Sequence, residues 1–380
     1  MLREIYFRME LSSRGQVGLL VSRDLAEKLA LLPKIGLRQF FVHSLIKSYC
    51  LMDKLRTVSA KSASVEDLLA FHSRDYVDIL RNPSALSEAD LEEVGLGYDC
   101  PVLDNLLDWV LAVAGASLSA AEALTSGSLR TVLHWGGGWH HAHRDGAAGF
   151  CYVNDIVLAI HRLQSKFKKI LYVDLDVHHG DGVEEAFSST NRVATFSIHK
   201  FESGYFPGSG ALTDTGSGRG QYHTINVPLK EGTTDKMYTD IFGALLPNIM
   251  TNFSPDCVVL QCGADCLVGD PLGGFNLTPA AICDCVKRVM SYNLPTLILG
   301  GGGYNPANTA RLWTQITATI LGADLDDDIP DEDHFFPKYG PDFQLTITPG
   351  CVRNRNTQED VDKLLETLNR NIYLMKSTNS

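Results

Sequence analysis

The sequence predicts an α/β fold, a single domain in which helices cover both faces of a mainly parallel β-sheet. Short apolar runs alternate with longer segments of helical periodicity over most of the 380 residues. The sequence contains no internal repeat and no long linker. The loops that follow the apolar runs hold the unusual polar residues, which predicts an active site at the carboxyl ends of the strands.

Six apolar or β-branched runs are predicted to be buried strands, and five longer segments are predicted to be helices. The strands are expected at residues 16–22, 131–135, 170–176, 193–198, 257–262 and 296–299. The helices are expected at residues 103–124, 154–167, 236–250, 278–292 and 307–321. Thr357 and Asp360 form a capping-box pattern that starts a final helix over about 357–376. We therefore expect one domain over 1–380, with its core at about 16–350.

The composition argues against several classes of protein. A formal net charge of −12 and the lack of a basic stripe argue against direct nucleic-acid binding. Nine cysteines without a framework spacing indicate a reducing compartment. The charged N-terminus lacks the apolar run of a signal peptide, and no stretch is expected to be long enough to span a bilayer. We expect an intracellular protein that binds neither membrane nor nucleic acid.

Five of the predicted strands are followed by loops with unusual residues. These loops cover residues 135–141, 174–181, 199–208, 263–265 and 300–304. Because the carboxyl ends of parallel strands lie at one edge of a sheet, the five loops are expected to converge. Each loop has an ordinary explanation when it is taken alone, and it is their shared placement that predicts a functional site.

The loop at 174–181 carries metal-capable side chains. Asp174, Asp176 and His178 follow an apolar lead-in, and side chains two apart on a strand share a face. Because a buried unpaired carboxylate is strongly unfavourable, the group needs a cation or an imidazole partner. Asp176 and His178, together with Asp265, would neutralise a divalent ion and leave an open coordination position. Imidazole favours zinc over magnesium, and ferrous iron could use the same ligands. The competing interpretation makes Asp176 a helix N-cap and His178 a hydrogen-bonded turn residue.

Two adjacent histidines, His140 and His141, follow a run of glycines that would let the backbone approach a ligand closely. A histidine near a metal-bound water can take its proton if a carboxylate fixes its other nitrogen, and Asp174 and Asp181 could each orient one ring. The alternatives are surface loop histidines or further metal ligands. Tyr304, after four glycines, could donate a hydrogen bond to a developing oxyanion, or could simply pack over the turn.

The loop motifs occur in the order found in the zinc-dependent class I histone deacetylases, and the chain resembles that family, which has the arginase–deacetylase fold. The motifs are Gly-Gly-Trp-His-His at 137–141, Asp-Leu-Asp-Val-His-His-Gly-Asp at 174–181, Tyr-Phe-Pro-Gly at 205–208, Gly-Ala-Asp at 263–265 and Gly-Gly-Gly-Gly-Tyr at 300–304. The similarity extends from about residue 16 to about residue 350. Trp139 and the segment 97–101 resemble the eighth isozyme type of class I in particular.

The resemblance implies a role for each motif residue. It places zinc on Asp176, His178 and Asp265, and it makes His141 the general base with His140 as an electrostatic partner. Asp181 and Asp174 would lie behind these histidines, and Tyr304 would polarise the acyl carbonyl. The substrate channel would be formed by Asp99 at the rim and by Gly149, Phe150, Phe206, Leu272 and Tyr304. Leu272 stands where the eighth isozyme type has methionine. Structural potassium ions are implied at two sites, partly on backbone atoms. The residues of the two sites are Asp174, Asp176, His178, Ser197 and Ile198, and then Phe187, Thr190 and Val193.

The resemblance further implies zinc-dependent hydrolysis of Nε-acetyl-lysine in histone tails and other proteins. Corepressor proteins would be partners, and the protein would act in the nucleus and the cytoplasm as a regulator of transcription. Three alternatives stay open at this point. They are an acylpolyamine amidohydrolase of the same fold, an arginase-like hydrolase with two manganese ions, and a non-catalytic acyl-lysine reader or scaffold.

Overall fold

The strands that the structure describes form one sheet. A computed structural model describes residues 16–376. Its strands are β1 (Val17–Leu20), β2 (Arg56–Val58), β3 (Thr131–His134), β4 (Ile170–Asp174), β5 (Val193–Lys200), β6 (Thr224–Leu229), β7 (Cys257–Gln261) and β8 (Thr296–Leu299). All neighbours pair in parallel, in the order β2-β1-β3-β8-β7-β4-β5-β6. The predicted α/β class with a parallel sheet is therefore confirmed.

Helices cover both faces of this sheet. They are α1 (Arg23–Leu29), α2 (Arg38–Ser48), α3 (Val65–Leu68), α4 (Arg74–Arg81), α5 (Glu88–Glu93), α6 (Leu106–Thr125), α7 (Asp155–Leu163), α8 (Asp181–Phe187), α9 (Asp235–Phe253), α10 (Pro279–Met290), α11 (Pro306–Leu321) and α12 (Gln358–Met375). The capping box predicted at the start of α12 is present, with Thr357 and Asp360 bonded reciprocally. Parallel strands need such crossover helices, which explains the alternation in the sequence.

The sheet separates two hydrophobic cores. Along β4, Leu171 and Val173 belong to a core that includes α2 and α9–α12. Ile170 and Tyr172 belong to a second core, on the opposite face, that includes α1, α3, α4 and α6–α8. Successive strand residues point to opposite faces, so a strand buried on both sides is a continuous apolar run. This burial fixes β4 rigidly and therefore positions the loop that follows it.

Two strands were not predicted, and both lie at the edges of the sheet. β2 is only three residues long and largely exposed, so it has no apolar run. β6 contains Pro228, and proline normally argues against a strand because it has no backbone N–H. It is tolerated in an edge strand, where the missing N–H costs no hydrogen bond to a neighbouring strand. Exposure explains why β2 was missed, whereas β6 is largely buried and was missed because Asn226 and Pro228 interrupt its apolar run.

The strand predicted over 170–176 ends two residues earlier, at Asp174. Asp176 and His178 therefore lie in the loop after β4, and the prediction that they share a strand face with Asp174 was wrong. The strand ends here because aspartate side chains accept hydrogen bonds from backbone N–H groups two residues further along the chain. Asp174 Oδ1 accepts from the N–H of Asp176 at 3.1 Å, and Asp176 Oδ1 accepts from that of His178 at 3.0 Å. Such local side-chain bonds replace sheet pairing and form a tight turn.

The expectation that no stretch is long enough to span a bilayer was also wrong for one helix. Helix α6 is 20 residues long and passes that test on length and composition alone. Most of it is buried within the protein, where it packs mainly against α7 and β3. Its apolar composition is accounted for by this burial, as in other core helices.

Candidate active site

The five unusual loops follow five adjacent strands, β3, β8, β7, β4 and β5, which form the middle of the sheet. Residues of four of these loops line a pocket of about 240 Å³ at the carboxyl edge, and Asp265 of the fifth loop lies next to the lining residue His178. The lining residues are Asp99, His141, Gly149, Phe150, His178, Tyr205, Phe206, Leu272 and Tyr304. The structure thus brings every predicted substrate-channel residue to one pocket, together with one predicted metal ligand and one predicted base.

Asp176, His178 and Asp265 form a compact buried cluster beside the pocket. One ligand atom from each lies within 4.8 Å of the other two. The Nδ1 atom of His178 is 3.2 Å from Asp176 Oδ1 and 3.0 Å from Asp265 Oδ2. Two buried carboxylates around one imidazole carry excess negative charge, which a divalent cation would neutralise. The three donors fit a catalytic zinc-type site, which takes three protein ligands and keeps one position open.

Main-chain and amide groups hold these carboxylates in place. Asp176 Oδ2 accepts hydrogen bonds from Gln261 Nε2 and from the N–H of Gly302, both at 2.8 Å. Asp265 Oδ1 accepts from the N–H of Val177 at 3.0 Å. Hydrogen bonds of this kind orient ligand oxygens before the metal arrives and so favour its binding.

Three glycines make room for the carboxylates of the centre. A side chain added at any of them would run into a carboxylate oxygen. The pairs in conflict are Gly180 with Asp174, Gly263 with Asp176, and Gly302 with Asp265. Glycine is thus required at these positions for close approach, not for backbone freedom, because none of the three has a positive φ.

Each of the two adjacent histidines donates from Nδ1 to its own carboxylate. His140 Nδ1 donates to Asp174 Oδ2 at 2.8 Å, and His141 Nδ1 donates to Asp181 Oδ1 at 2.7 Å. The Tyr172 hydroxyl also donates to Asp174 Oδ2, at 2.6 Å. A carboxylate only accepts, so these bonds place a proton on the Nδ1 atom of each ring.

The surroundings drive the pKa values of the two histidines apart. Burial lowers the pKa of His140, but the charges of Asp174 and Asp176 outweigh it and raise that pKa to about 9. Burial, followed by the charge of His140, lowers the pKa of His141 to about 4. Titratable neighbours with opposite shifts are typical of acid–base sites. These opposite shifts favour a neutral His141, able to accept a proton, and a protonated His140.

Aromatic rings form the walls of the pocket. The ring of Phe206 meets His141 edge-on, with centroids 4.8 Å apart, and Phe150 meets Tyr304 similarly at 5.6 Å. Gly149 has φ +50° and lies so close to His141 and Phe206 that a side chain there would displace them. The Tyr304 side chain is half-buried, and its pKa is raised first by burial of the hydroxyl and then by the charges of Asp265 and Asp176. The phenol therefore keeps its proton and can act as a hydrogen-bond donor.

Tyr205 is a pocket residue for which no role was predicted from the sequence. Its ring stacks on His178 with an interplanar angle of 3° and centroids 5.2 Å apart. Its hydroxyl lies 3.2 Å from His178 Nε2 and donates to the carbonyl of Leu272 at 2.8 Å. If a metal binds His178 Nδ1, the Nε2–H donates to this hydroxyl, so Tyr205 would fix the ring and its tautomer. The only signal in the sequence is its place beside Phe206 in the motif at 205–208.

Replacing Tyr205 with phenylalanine is expected to weaken metal binding about tenfold, because it removes the hydrogen-bond partner behind a ligand and keeps the stacked ring. Competition with a chromophoric chelator measures the dissociation constant. Tyr49→Phe is the matched control, because the Tyr49 hydroxyl also donates to two carbonyls, those of Asp326 and Asp328, far from the pocket. Equal metal affinity in the two variants would contradict this role for Tyr205.

The residues implied for potassium lie on both sides of β4 and β5. Ser197 is the register partner of Asp174, and its hydroxyl is 2.9 Å from His199 Nδ1. Ile198 follows on the same strand. Phe187 ends α8 and its carbonyl accepts from the N–H of Thr190 at 3.1 Å, shortly before Val193 begins β5. Potassium binding at either group stays a prediction.

Comparison with known proteins is consistent with this geometry. The model of the histone deacetylase domain matches residues 37–320, and the chain belongs to the histone deacetylase family. Histone deacetylase 8 of Xenopus tropicalis is 48% identical over 338 residues, which are 88% of this chain and 91% of that relative. Histone deacetylase 8 of Danio rerio is 45% identical over 344 residues, 90% of this chain and 91% of the relative. The expected resemblance to the eighth isozyme type is confirmed.

More distant members are similar over the same extent. Human histone deacetylase 1 is 43% identical over 337 residues, which are 88% of this chain and 70% of that relative.

Proposed function

We propose that the chain is a zinc-dependent protein lysine deacetylase that hydrolyses the amide of Nε-acetyl-lysine in histones and other proteins. The observation that carries the proposal is the pocket at which the buried metal-ligand cluster, the His141 imidazole and the Tyr304 phenol come together. Family membership supports deacetylation as the reaction. When bound, the ion acts as a Lewis acid toward the acyl carbonyl and the attacking water.

The pocket walls suit the substrate. Phe150 and Phe206 both line the pocket, where they pack against Tyr304 and His141 respectively. Four lysine methylenes are apolar and would fit between such rings, while the neutral acyl-amide reaches the floor. Asp99 lines the same pocket from a separate loop and would accept hydrogen bonds from the peptide backbone of the substrate.

The polar residues divide the proton transfers. His141 takes a proton from the attacking water as the new C–O bond forms, and Asp181 stabilises the resulting imidazolium. Tyr304 donates a hydrogen bond to the carbonyl oxygen, on which negative charge develops. The C–N bond then breaks, and a protonated histidine of the pair delivers its proton to the departing lysine amine. His140, braced by Asp174, supplies positive charge beside the reacting centre.

The remaining alternatives differ in the number of catalytic metal ions or in the preferred substrate. Within residues 16–376, the Asp176–His178–Asp265 set is the only group of three or more such ligands close enough to share an ion, which favours one catalytic metal over a two-manganese centre. An acylpolyamine substrate would fit the same channel and is separated from acetyl-lysine only by a direct comparison of rates. We further propose action in the nucleus and cytoplasm, on corepressor-associated histones among other substrates.

The decisive experiment measures acetate release from acetyl-lysine peptides by purified protein, alongside acetylated polyamines. We expect turnover on the peptides, loss of turnover after chelation, and recovery with one equivalent of zinc. Protein loaded with iron to the same occupancy is assayed alongside. Absence of turnover by fully loaded protein would contradict the proposal and favour a non-catalytic acyl-lysine reader.

A further inference from the structure

Asp270 joins two of the loops that carry pocket residues. Its Oδ2 accepts a hydrogen bond from the N–H of Tyr304 at 2.7 Å, and its Oδ1 accepts one from the N–H of Leu272 at 2.9 Å. The Asp270 side chain is half-buried and is not among the residues that line the pocket. One carboxylate behind the pocket therefore fixes the main chain at two of its lining residues.

The Leu272 side of this connection reaches the metal-ligand cluster. The Tyr205 hydroxyl donates to the Leu272 carbonyl at 2.8 Å, and the Tyr205 ring stacks on His178. Asp270 is also held by its own loop, because its N–H donates to the carbonyl of Leu267 at 3.3 Å. The carboxylate thus has a defined position relative to the cluster, and the main chain of the other loop is bonded to it.

Tyr304 needs such an anchor because of the chain that precedes it. Four glycines come before it, and Gly301 and Gly303 have positive φ values of 131° and 132°. Glycine has the widest range of backbone conformations, so a run of four does not by itself define where the next side chain lies. Helix α11 begins only at Pro306. The bond to Asp270 therefore fixes Tyr304 between the glycine run and the helix.

The bond to Tyr304 distinguishes Asp270 from an ordinary turn residue. Aspartate often accepts a hydrogen bond from the N–H two residues further along the chain, and the bond to Leu272 is of this local kind. The bond to Tyr304 instead joins residues 34 positions apart. The sequence alone does not single out Asp270, because an aspartate followed by proline is common in turns.

We propose that Asp270 is a positioning residue that holds the Tyr304 phenol at the acyl carbonyl, so that a carboxylate outside the pocket determines how well the oxyanion is stabilised. This inference rests on the proposed function, in which Tyr304 polarises the carbonyl. An oxyanion donor acts only if it lies within hydrogen-bond distance of the developing charge. A displacement of about 1 Å can lower the rate on the order of 10²-fold.

The test is a double-mutant cycle on kcat for the zinc-loaded protein. Asparagine keeps the shape of the Asp270 side chain but has one acceptor oxygen, so one of the two main-chain N–H groups would face an NH2 group. Asp270→Asn should therefore lower kcat about 10–100-fold when Tyr304 is present. In the Tyr304→Phe background the same change should cost less than about threefold, because no hydroxyl remains to be positioned.

Asp256→Asn is the matched control. The Asp256 carboxylate also accepts from two main-chain N–H groups, those of Lys168 and Lys169, at 2.9 and 3.0 Å. It lies just before β7, at the opposite edge of the sheet from the pocket. Asp256→Asn should leave kcat unchanged in both backgrounds. An equal loss of kcat for Asp270→Asn in both backgrounds would overturn the inference.

A second measurement does not depend on turnover. In NMR spectra of carbon-13-labelled tyrosine, the Tyr304 signal is the one missing from Tyr304→Phe, and Asp270→Asn should shift or broaden it while Asp256→Asn should not. An unchanged Tyr304 signal would overturn the inference. A changed signal in a protein whose wild type has no turnover would support the positioning of Tyr304 and reject the proposed function alone.

A second variant separates positioning from folding. If Asp270→Asn does not fold, Asp270→Ser takes its place in the cycle, because serine removes the carboxylate without placing an NH2 group against the main chain. The same dependence on Tyr304 is expected of it. Failure of both variants to fold would make Asp270 a purely structural residue and would overturn the inference.

Discussion

Tyr304→Phe is expected to lower kcat on an acetyl-lysine peptide by about 10²–10³-fold, the usual cost of removing one oxyanion donor. The phenol donates to charge that develops only in the transition state, so KM should change little. The ring itself would be kept, and with it the edge contact with Phe150. Steady-state kinetics on metal-loaded protein measures the effect, with metal content determined on the same sample.

Two comparisons make the result specific. Tyr373→Phe removes a hydroxyl from an exposed side chain on α12 and should leave kcat unchanged. Metal affinity and Tm of Tyr304→Phe should equal those of the wild type, because the hydroxyl is not among the proposed ligands. Full activity in Tyr304→Phe would refute the oxyanion role, and a loss of activity that follows lost metal would assign Tyr304 to metal binding.

Asp265→Asn is expected to abolish measurable turnover and to weaken metal binding more than 100-fold, beyond the range seen when a group behind a ligand is removed. The amide retains the shape of the carboxylate and an oxygen that can accept from the N–H of Val177. The change therefore removes one negative charge with little loss of packing. Isothermal titration with zinc and a peptide assay at saturating zinc measure the two effects.

Thermal unfolding separates lost metal binding from misfolding. A ligand that binds only the folded state stabilises it by about 2.7 kcal/mol at 100 times its dissociation constant. This metal-dependent rise in Tm should disappear in Asp265→Asn, while the Tm in the presence of chelator should not fall, because Asp265 lies beside another buried carboxylate. Asp53→Asn, at an exposed position, should behave as the wild type. A normal metal-dependent rise in Asp265→Asn would exclude it as a ligand.

The centre of the fold was predictable because its signals are local. β8 was expected at 296–299 and lies at Thr296–Leu299, since four buried residues bounded by turn residues specify a strand buried on both faces. The edges were not predictable in this way. β2 pairs with β1 through residues that are mostly exposed, and its position depends on a neighbour 38 residues earlier in register, Gly18 opposite Arg56.

The sequence was enough to predict which residues form most of the candidate site, but not all of the contacts between their side chains. Placement after successive parallel strands was enough to expect that Asp176 and Asp265 would meet, although they are far apart in the chain. The direction of a side chain that leaves a loop depends on tertiary packing. Tyr205 reaches His178 only because the loop at 266–273 supplies its carbonyl acceptor, and no periodicity in the sequence encodes that contact.

The centre is sensitive to substitution at three glycines that take no part in its chemistry, namely Gly180, Gly263 and Gly302. Each has no side chain with which to react, yet any replacement intrudes on a carboxylate oxygen. The positions at which substitutions can inactivate the protein therefore outnumber the residues that bind or react. Evolution toward a new substrate is correspondingly freer at the rim of the pocket, where Leu272 and Phe206 border open solvent, than at its floor.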